Sequence, residues 1–207
     1  MTVRGCGTVA LPDPPAPDFF MALKSTVYKA NLQVADMDRS HYRDHALTLA
    51  LHPSETEERL MMRVLAHALQ APDDETDTPL LQARGLSDSD EPDLWQHDRT
   101  GALLHWIEVG QPDERRLAKA SGRSDRVTVY AYAAAVPVWW KGLADKVARL
   151  ANLAVWQIDP AASQALAALA TRSMQLQVTV QDGIVWVGDG AHSVEIHPQA
   201  LKAVAAR

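Results

Sequence analysis

Two acidic residues, Asp93 and Glu108, stand out because of where they occur in the sequence. Asp93 follows a proline in a polar turn, whereas Glu108 interrupts an apolar run, residues 103–109, that is typical of a short buried strand. An ionised carboxylate in such a strand needs a partner, because burying it alone is very costly. Two carboxylates on neighbouring segments with a cation beside them form the simplest site that a divalent metal ion and a phosphodiester could share.

A basic segment follows the strand of Glu108. Residues 110–112 break the apolar pattern, and residues 112–114 combine a proline with two acids, which are favoured at a helix N-terminus. We therefore predict a helix that begins there and carries Arg115, Arg116 and Lys119 close to the end of the strand.

Composition and charge limit the classes of function. A chain of 207 residues that is 47% hydrophobic can bury one substantial core, and we predict a single domain over residues 21–207. The net charge of −6 argues against a protein that coats nucleic acid with its whole surface. The charge is unevenly spread, however: residues 72–98 hold nine acids against one arginine, and residues 112–149 hold eight bases against four acids. A basic lobe could bind a phosphate backbone locally, although solvated helix faces explain the same pattern.

The N-terminal segment and the cysteine content bear on location. Cys6 is the only cysteine, which excludes an intrachain disulfide and a thiolate-rich zinc site. The proline-rich residues 1–20 lack the apolar stretch of a secretory signal and predict a disordered leader. No run approaches the roughly 18 apolar residues needed to cross a bilayer. We therefore predict a cytoplasmic protein that does not enter a membrane.

The periodicity of apolar residues predicts the fold class. Alternation over residues 28–51 indicates a hairpin, and strands alternate with helices over residues 103–172, as in an α/β sheet with parallel neighbours. Alternation resumes from Met174, with a two-residue turn at Asp182-Gly183. We predict an α/β fold in which helices flank a central mixed sheet and antiparallel strands are added at the N- and C-termini.

Two histidines, His41 and His45, have the i, i+4 spacing of zinc-binding helices. The segment that holds them is typical of a strand, however, and a strand separates residues four apart by about 13 Å. We therefore predict that this pair does not share a metal ion.

Several long motifs resemble one bacterial family. They include Met21-Ala-Leu-Lys-Ser-Thr-Val-Tyr-Lys-Ala, His-Pro-Ser-Glu-Thr around Ser54, Glu-Pro-Asp at 91–93, Trp-Ile-Glu-Val-Gly-Gln-Pro-Asp-Glu-Arg-Arg-Leu from 106, and Gln-Asp-Gly-Ile-Val-Trp-Val from 181. With these motifs the chain resembles the YaeQ family over residues 21–200. The resemblance implies a variant of the PD-(D/E)xK nuclease fold, in which a strand-helix-strand core carries the catalytic acids.

The resemblance also assigns roles to individual residues. Asp93 matches the first acid of the nuclease pattern and Glu108 matches the second, so both are implied metal ligands. The lysine that normally follows two residues after the second acid is replaced by Gly110. Lys119, on the predicted helix, and Gln111 are the candidates to substitute for it.

The first functional hypothesis is a magnesium-dependent phosphodiesterase acting on DNA or RNA, with manganese as an alternative ion. Asp93 and Glu108 would hold the metal, and Glu58 would supply a third carboxylate. The lysine would orient the attacking water or stabilise the charge that develops on phosphorus. Phosphate contacts would come from Arg115, Arg116 and Arg123.

The second hypothesis is a non-catalytic module that binds nucleic acid or a protein partner, for instance in transcription, and that retains a degenerate nuclease fold. On this view Glu108 forms a buried ion pair with Lys119 or Arg115 and holds no metal. The two hypotheses share the fold and differ in the site, because an intact fold does not establish an activity.

Overall fold

The computed structural model describes residues 25–72, 78–83 and 91–204. The predicted leader, residues 1–20, lies outside the described residues. In the described part the strands are β1 (Thr26–Asp36), β2 (His41–Leu51), β3 (Leu81–Gln82), β4 (Leu94–His97), β5 (Leu103–Val109), β6 (Arg126–Ala131), β7 (Leu153–Gln157), β8 (Ser173–Gln181), β9 (Ile184–Gly188), β10 (Ser193–Ile196) and β11 (Gln199–Lys202). The helices are α1 (Glu57–Gln70), α2 (Glu114–Arg123), α3 (Val136–Val147) and α4 (Pro160–Ala167).

The strands form two mixed sheets. Sheet A has the order β10-β9-β8-β1-β2, and sheet B has the order β11-β7-β6-β5-β4-β3. The prediction of a mixed α/β fold is confirmed, but the prediction of one central sheet extended by the terminal strands is wrong. The N-terminal hairpin β1–β2 and the C-terminal strands β8–β10 join each other through the parallel pair β1–β8 and so make a sheet of their own.

Buried apolar residues fall into two clusters. The larger cluster combines the inner face of sheet A, helices α1 and α4, and one face of sheet B, including Ile107 and Val109 of β5. The smaller cluster covers the opposite face of sheet B, where Trp106 of β5 packs with residues of α2 and α3. Strand β5 is therefore covered on both faces, which explains its almost continuous apolar sequence.

Helix α1 is buried along most of its length. Thr56 caps its N-terminus by accepting a hydrogen bond from the backbone N–H of Arg59 at 3.2 Å. Nine of its residues are buried, among them the charged Arg63 and the imidazole of His67. The helix ends before Pro72, since proline cannot continue the hydrogen-bond pattern.

The carboxyl end of β5 is the point at which the elements that carry the predicted site meet. Strand β4 pairs with β5 in the antiparallel sense, with Leu94 opposite Ile107, so Asp93 lies beside Glu108 across the pair. Strand β6 lies parallel on the other side. Four residues separate β5 from helix α2, which begins at Glu114 with Asp113 as its N-cap, and this confirms the predicted helix start.

Candidate functional site

The carboxylate of Asp93 accepts one hydrogen bond from a backbone donor and one from a side-chain donor, and the two donors belong to different elements. Its carboxylate is 5% exposed; Oδ2 accepts from the backbone N–H of Val109 at 2.7 Å, and Oδ1 accepts from Nη2 of Arg59 at 2.5 Å. Arg59 also donates from Nη1 to the carbonyl oxygen of Val109 at 2.5 Å. The first turn of α1 is thereby tied to the end of β5 through an ion pair and a backbone contact.

Glu108 has its own arginine. Its side chain is 4% exposed, and Oε1 accepts from Nε1 of Trp106 at 2.5 Å and from Nε of Arg116 at 2.7 Å. Burial raises the pKa of Glu108; the hydrogen bond from Arg116 opposes that rise, and the nearby charge of Asp93 adds to it. Glu108 is thus paired with Arg116, one of the predicted phosphate contacts, whereas the ion-pair hypothesis named Lys119 or Arg115.

A guanidinium lies where the lysine of the nuclease pattern is missing. Gly110 has φ of +111°, and a Cβ added there would lie 3.2 Å from Nη1 of Arg59. The cation beside Asp93 therefore comes from α1, and the absence of a side chain at position 110 leaves room for it.

Substitution of Gly110 tests this close approach. We expect Gly110→Ala to lower the free energy of unfolding by about 1–3 kcal/mol, because alanine is strained at positive φ and its Cβ would press on Arg59. Gly122→Ala is the matched control: it lies in α2 with open space around the added Cβ, so it is expected to stabilise the protein by about 0.5 kcal/mol. Urea unfolding of the two variants measures both values, and equal effects would contradict the assignment.

Two glutamates around the start of α1, Glu58 and Glu55, are candidates for a third carboxylate near Asp93 and Glu108. Glu58, the predicted auxiliary ligand, accepts a hydrogen bond from the hydroxyl of Ser163 at 2.6 Å, which ties it to α4. Glu55 lies closer to the ion pairs: its Oε1 is 3.0 Å from Nε of Arg63 and 3.8 Å from Nε of Arg59. Burial raises the pKa of Glu55, and the charge of Asp93 raises it further, so these two acids lie near each other.

The remaining predicted residues lie around the strand end. Gln111 is exposed and donates from Nε2 to the carbonyl oxygen of Tyr132 at 3.3 Å. Lys119 lies half-buried on α2, three residues beyond Arg116. Arg115 and Arg123 are exposed on the same helix, and the guanidinium carbon of Arg123 lies 5.9 Å from the centroid of the Trp106 ring.

Two residues of the site were missed by the sequence analysis, namely Arg59 and Glu55. Both belong to the segment around the start of α1, where acids and bases are common for reasons of helix stability alone. The sequence signal for Arg59 is Gly110. A glycine leaves space beside the strand end, and a long side chain from another element, here Arg59, can occupy that space.

The described structure is a mixed α/β protein with two mixed sheets, four helices and buried acid–arginine pairs at the end of a central strand. A family model described as YaeQ protein matches residues 21–198, and the chain belongs to the YaeQ family. The uncharacterized protein YaeQ of Salmonella typhi is 47% identical over 178 residues, covering 85% of this chain and 95% of that protein. The corresponding protein of Escherichia coli K12 is 44% identical over 179 residues, covering 86% and 96%.

Two crystal structures of relatives have the same fold. The YaeQ protein of Xanthomonas axonopodis pv. citri superposes with a TM-score of 0.82 at 47% identity, covering 87% of this chain and 99% of that one. The YaeQ protein of Pseudomonas syringae gives a TM-score of 0.80 at 37% identity, covering 86% and 97%. Among the described residues, none of the helices is long and apolar enough to cross a membrane.

Proposed function

We propose that the protein binds the phosphodiester backbone of DNA or RNA at the carboxyl end of β5 without hydrolysing it. In this proposal Arg59 and Arg116 contact phosphate, and Asp93 and Glu108 hold the two guanidinium groups in place. The supporting observation is the pairing itself, since each of the two buried carboxylates accepts a hydrogen bond from one arginine. Both arginines remain about one quarter exposed, at 25% and 27% of their side-chain surface.

Arginine suits this role because its planar guanidinium presents several N–H donors in a fixed arrangement that matches phosphate. A carboxylate that fixes one edge of the group lowers the entropy lost when another edge meets an anion. Further exposed bases lie on the helices that cover the face of sheet B opposite α1: Arg115 and Arg123 on α2 and Lys141 on α3. Their positive charge would attract a polyanion in a chain that is acidic overall.

The residues at the strand end do not fit a magnesium ion in the arrangement described. Magnesium demands near-octahedral oxygen ligands, usually one or two carboxylates and several waters. Both oxygens of Asp93 already accept hydrogen bonds from protein N–H groups, and a guanidinium lies against each acid. Within residues 25–72, 78–83 and 91–204, no group of three His, Cys, Asp or Glu side chains is placed to hold a metal ion.

A magnesium- or manganese-dependent phosphodiesterase, as the likeness to PD-(D/E)xK nucleases implies, is the second candidate. One observation favours it: Asp93 and Glu108 are neighbours across the β4–β5 pair, and the charge of Asp93 raises the pKa of Glu108. For these acids to serve as metal ligands, Arg59 and Arg116 would have to turn away from them. The two candidates therefore differ in whether the wild type cleaves nucleic acid, and in whether variants of the acids have any cleavage to lose.

Binding of labelled oligonucleotides tests the first candidate. Fluorescence anisotropy with single- and double-stranded DNA and RNA, without divalent ions, is expected to show binding that weakens as salt is raised. The double variant Arg59→Gln/Arg116→Gln should bind about tenfold more weakly or worse, because it loses hydrogen bonds to a charged group. The control Lys29→Ala removes an exposed base from sheet A and should bind like the wild type. Absence of binding by the wild type would overturn the proposal.

Cleavage assays separate the two candidates. The same oligonucleotides are incubated with magnesium or manganese and resolved on denaturing gels, using the wild type, Asp93→Asn and Glu108→Gln. The first candidate expects no cleavage by any of the three proteins. Cleavage by the wild type that both variants lose would replace it with the phosphodiesterase.

A further inference from the structure

Trp186 of β9 lies on the open face of sheet A. Its neighbours Val185 and Val187 are each 1% exposed and belong to the larger core cluster, so the half-buried indole ring between them points to the other face. Side chains that share this outer face are exposed, such as those of Asn31 on β1 and Gln177 on β8. Within the described part of the chain, no other element covers the face on which the ring lies.

Trp186 differs from the other tryptophans because it has no interaction partner among the described residues. The other five are held by a hydrogen bond, by a neighbouring aromatic ring or by the core: Trp95, Trp106, Trp139, Trp140 and Trp156. In the described structure the indole N–H of Trp186 donates no hydrogen bond, and its ring meets no cation and no second aromatic ring. Its face and its N–H group are therefore available to a ligand.

An open cleft lies beside this ring. Its volume is about 310 Å³, at the lower end of the range for small-molecule sites. Gly188 also points to the outer face, between Gln177 of β8 and Ser193 of β10, and the side chain that it lacks leaves the space. A Cβ at this position would lie 3.0 Å from the backbone oxygen of His192, so the loop from β9 to β10 lies close over the glycine and forms one wall.

That wall is held by hydrogen bonds within the loop. Oδ1 of Asp189 accepts from the backbone N–H groups of Ala191 at 2.9 Å and His192 at 2.7 Å. The N–H of Asp189 in turn donates to the carbonyl oxygen of His192 at 3.1 Å. A wall that is already fixed costs a ligand less ordering entropy than a loop that must close on it.

The polar groups around the cleft are uncharged and able both to donate and to accept hydrogen bonds. They are the side-chain amide of Gln177 and the hydroxyls of Thr179 and Ser193. None of these three side chains is hydrogen-bonded to another described residue. They therefore keep their full hydrogen-bonding capacity for water or for a ligand.

The cleft offers no counter-charge to an ionic ligand. Its lining contains no aspartate, glutamate, lysine or arginine side chain. Two acids lie nearby but are engaged elsewhere, since Asp189 binds its own loop and Oε1 of Glu195 lies 2.7 Å from Nε2 of His197. His192 lines the rim with a side chain that is 76% exposed to water. An uncharged ligand suits this site best.

We propose that the cleft binds a neutral sugar ring, with Trp186 as its platform and Gln177, Thr179 and Ser193 as partners for its hydroxyl groups. The C–H face of a sugar ring is apolar and positively polarised, so it packs on the electron-rich face of an indole. Hydroxyl groups both donate and accept, as the three side chains do. This site lies on sheet A and does not depend on the phosphate site proposed at the end of β5.

A nucleobase would also stack on the indole, but it fits the polar groups less well. Its few polar atoms have fixed donor or acceptor roles and lie in the plane of the ring, whereas a sugar carries hydroxyl groups around its whole rim. The cleft presents polar groups from two separate strands, β8 and β10, on either side of Trp186. This spread favours the sugar.

Titration of the full chain with uncharged sugars tests the proposal. The probes are glucose, galactose, N-acetylglucosamine, maltose and cellobiose, and isothermal titration calorimetry is expected to show at least one of them bound at one site per chain. Trp186→Ala should weaken this binding about tenfold, because the platform is lost. Gln177→Ala should weaken it about threefold or more, because a hydrogen bond is lost. The control Tyr42→Ala removes an exposed aromatic ring at the opposite edge of sheet A and should leave the affinity unchanged.

Fluorescence locates the bound sugar independently of affinity. Binding should change the tryptophan emission of the wild type, whereas Trp186→Phe should still bind by calorimetry, since it keeps a ring, but show no such change. Circular dichroism verifies that the variants are folded. The proposal is overturned if none of the sugars binds at millimolar concentration, or if Trp186→Ala binds as tightly as the wild type. It is also overturned if the free bases adenine or uracil bind while the sugars do not.

Discussion

The Asp93→Ala variant is expected to lose about 3 kcal/mol of the free energy of unfolding, because it leaves a guanidinium and a backbone N–H without their buried acceptor. The affected donors are Nη2 of Arg59 and the N–H of Val109, at 2.5 and 2.7 Å from the two carboxylate oxygens. Arg59 is 25% exposed, so water can reach part of the group, and the loss falls at the lower end of the range for broken buried ion pairs. Chemical denaturation in urea measures it.

Two controls separate the ion pair from a general effect of removing an acid. Asp125→Ala removes an exposed carboxylate in the turn before β6, so it should leave stability unchanged. In the double variant Asp93→Ala/Arg59→Met the orphaned charge is gone, and we expect it to be more stable than Asp93→Ala alone. If the two substitutions instead destabilise additively, Asp93 and Arg59 have no interaction energy, and Asp93 stabilises the fold only through its hydrogen bond to Val109.

Acid should destabilise the protein through two buried histidines. Burial lowers the pKa of His67 to about 4 and that of His105 to about 3, compared with about 6.5 in an unfolded chain. Protonation therefore favours the unfolded chain: the stability is fully present above pH 6.5 and is lost as the pH falls toward the lowered values. Between pH 7 and pH 5 each histidine is expected to remove about 2 kcal/mol.

Buried carboxyl groups act in the opposite direction. Burial raises the pKa of Glu55 and of Glu108, so their unfavourable charge is relieved as the pH falls through those raised values. The net loss is therefore smaller than the sum for the histidines, and comparison of variants isolates the histidine effect. His105→Gln should have a flatter pH profile than the wild type between pH 7 and pH 5, whereas the exposed His192→Ala should not. Identical profiles for His105→Gln and the wild type would contradict the assignment.

Local patterns in the sequence predicted local structure well. The apolar run around Glu108 is the buried strand β5, and the proline and acids at 112–114 mark the start of α2, with Asp113 as its cap. Asp182 and Gly183, the predicted turn, lie between β8 and β9, and both have positive φ. These features depend on neighbouring residues alone, so the sequence contains all that is needed to predict them.

Contacts between distant segments could not be predicted from the sequence. It showed that Glu108 needed a partner and offered Lys119 and Arg115, whereas packing brings Arg116 of the same helix to the carboxylate. Arg59 reaches Asp93 from 34 residues away, and periodicity carries no signal for such a pair. The division into two sheets was missed for the same reason, because it depends on β1 choosing β8 as its parallel neighbour.

The parallel pairing of β1 with β8 also constrains how the chain folds as it is synthesised. Lys29 lies opposite Ser173, so the first strand gains this neighbour only after β3 to β7, five of the six strands of sheet B, have been made. Until then the β1–β2 hairpin exposes the apolar face on which Leu32 lies and one edge open to hydrogen bonding. Such long-range pairing is slow, and an exposed apolar face with an unpaired edge makes the waiting hairpin prone to aggregation.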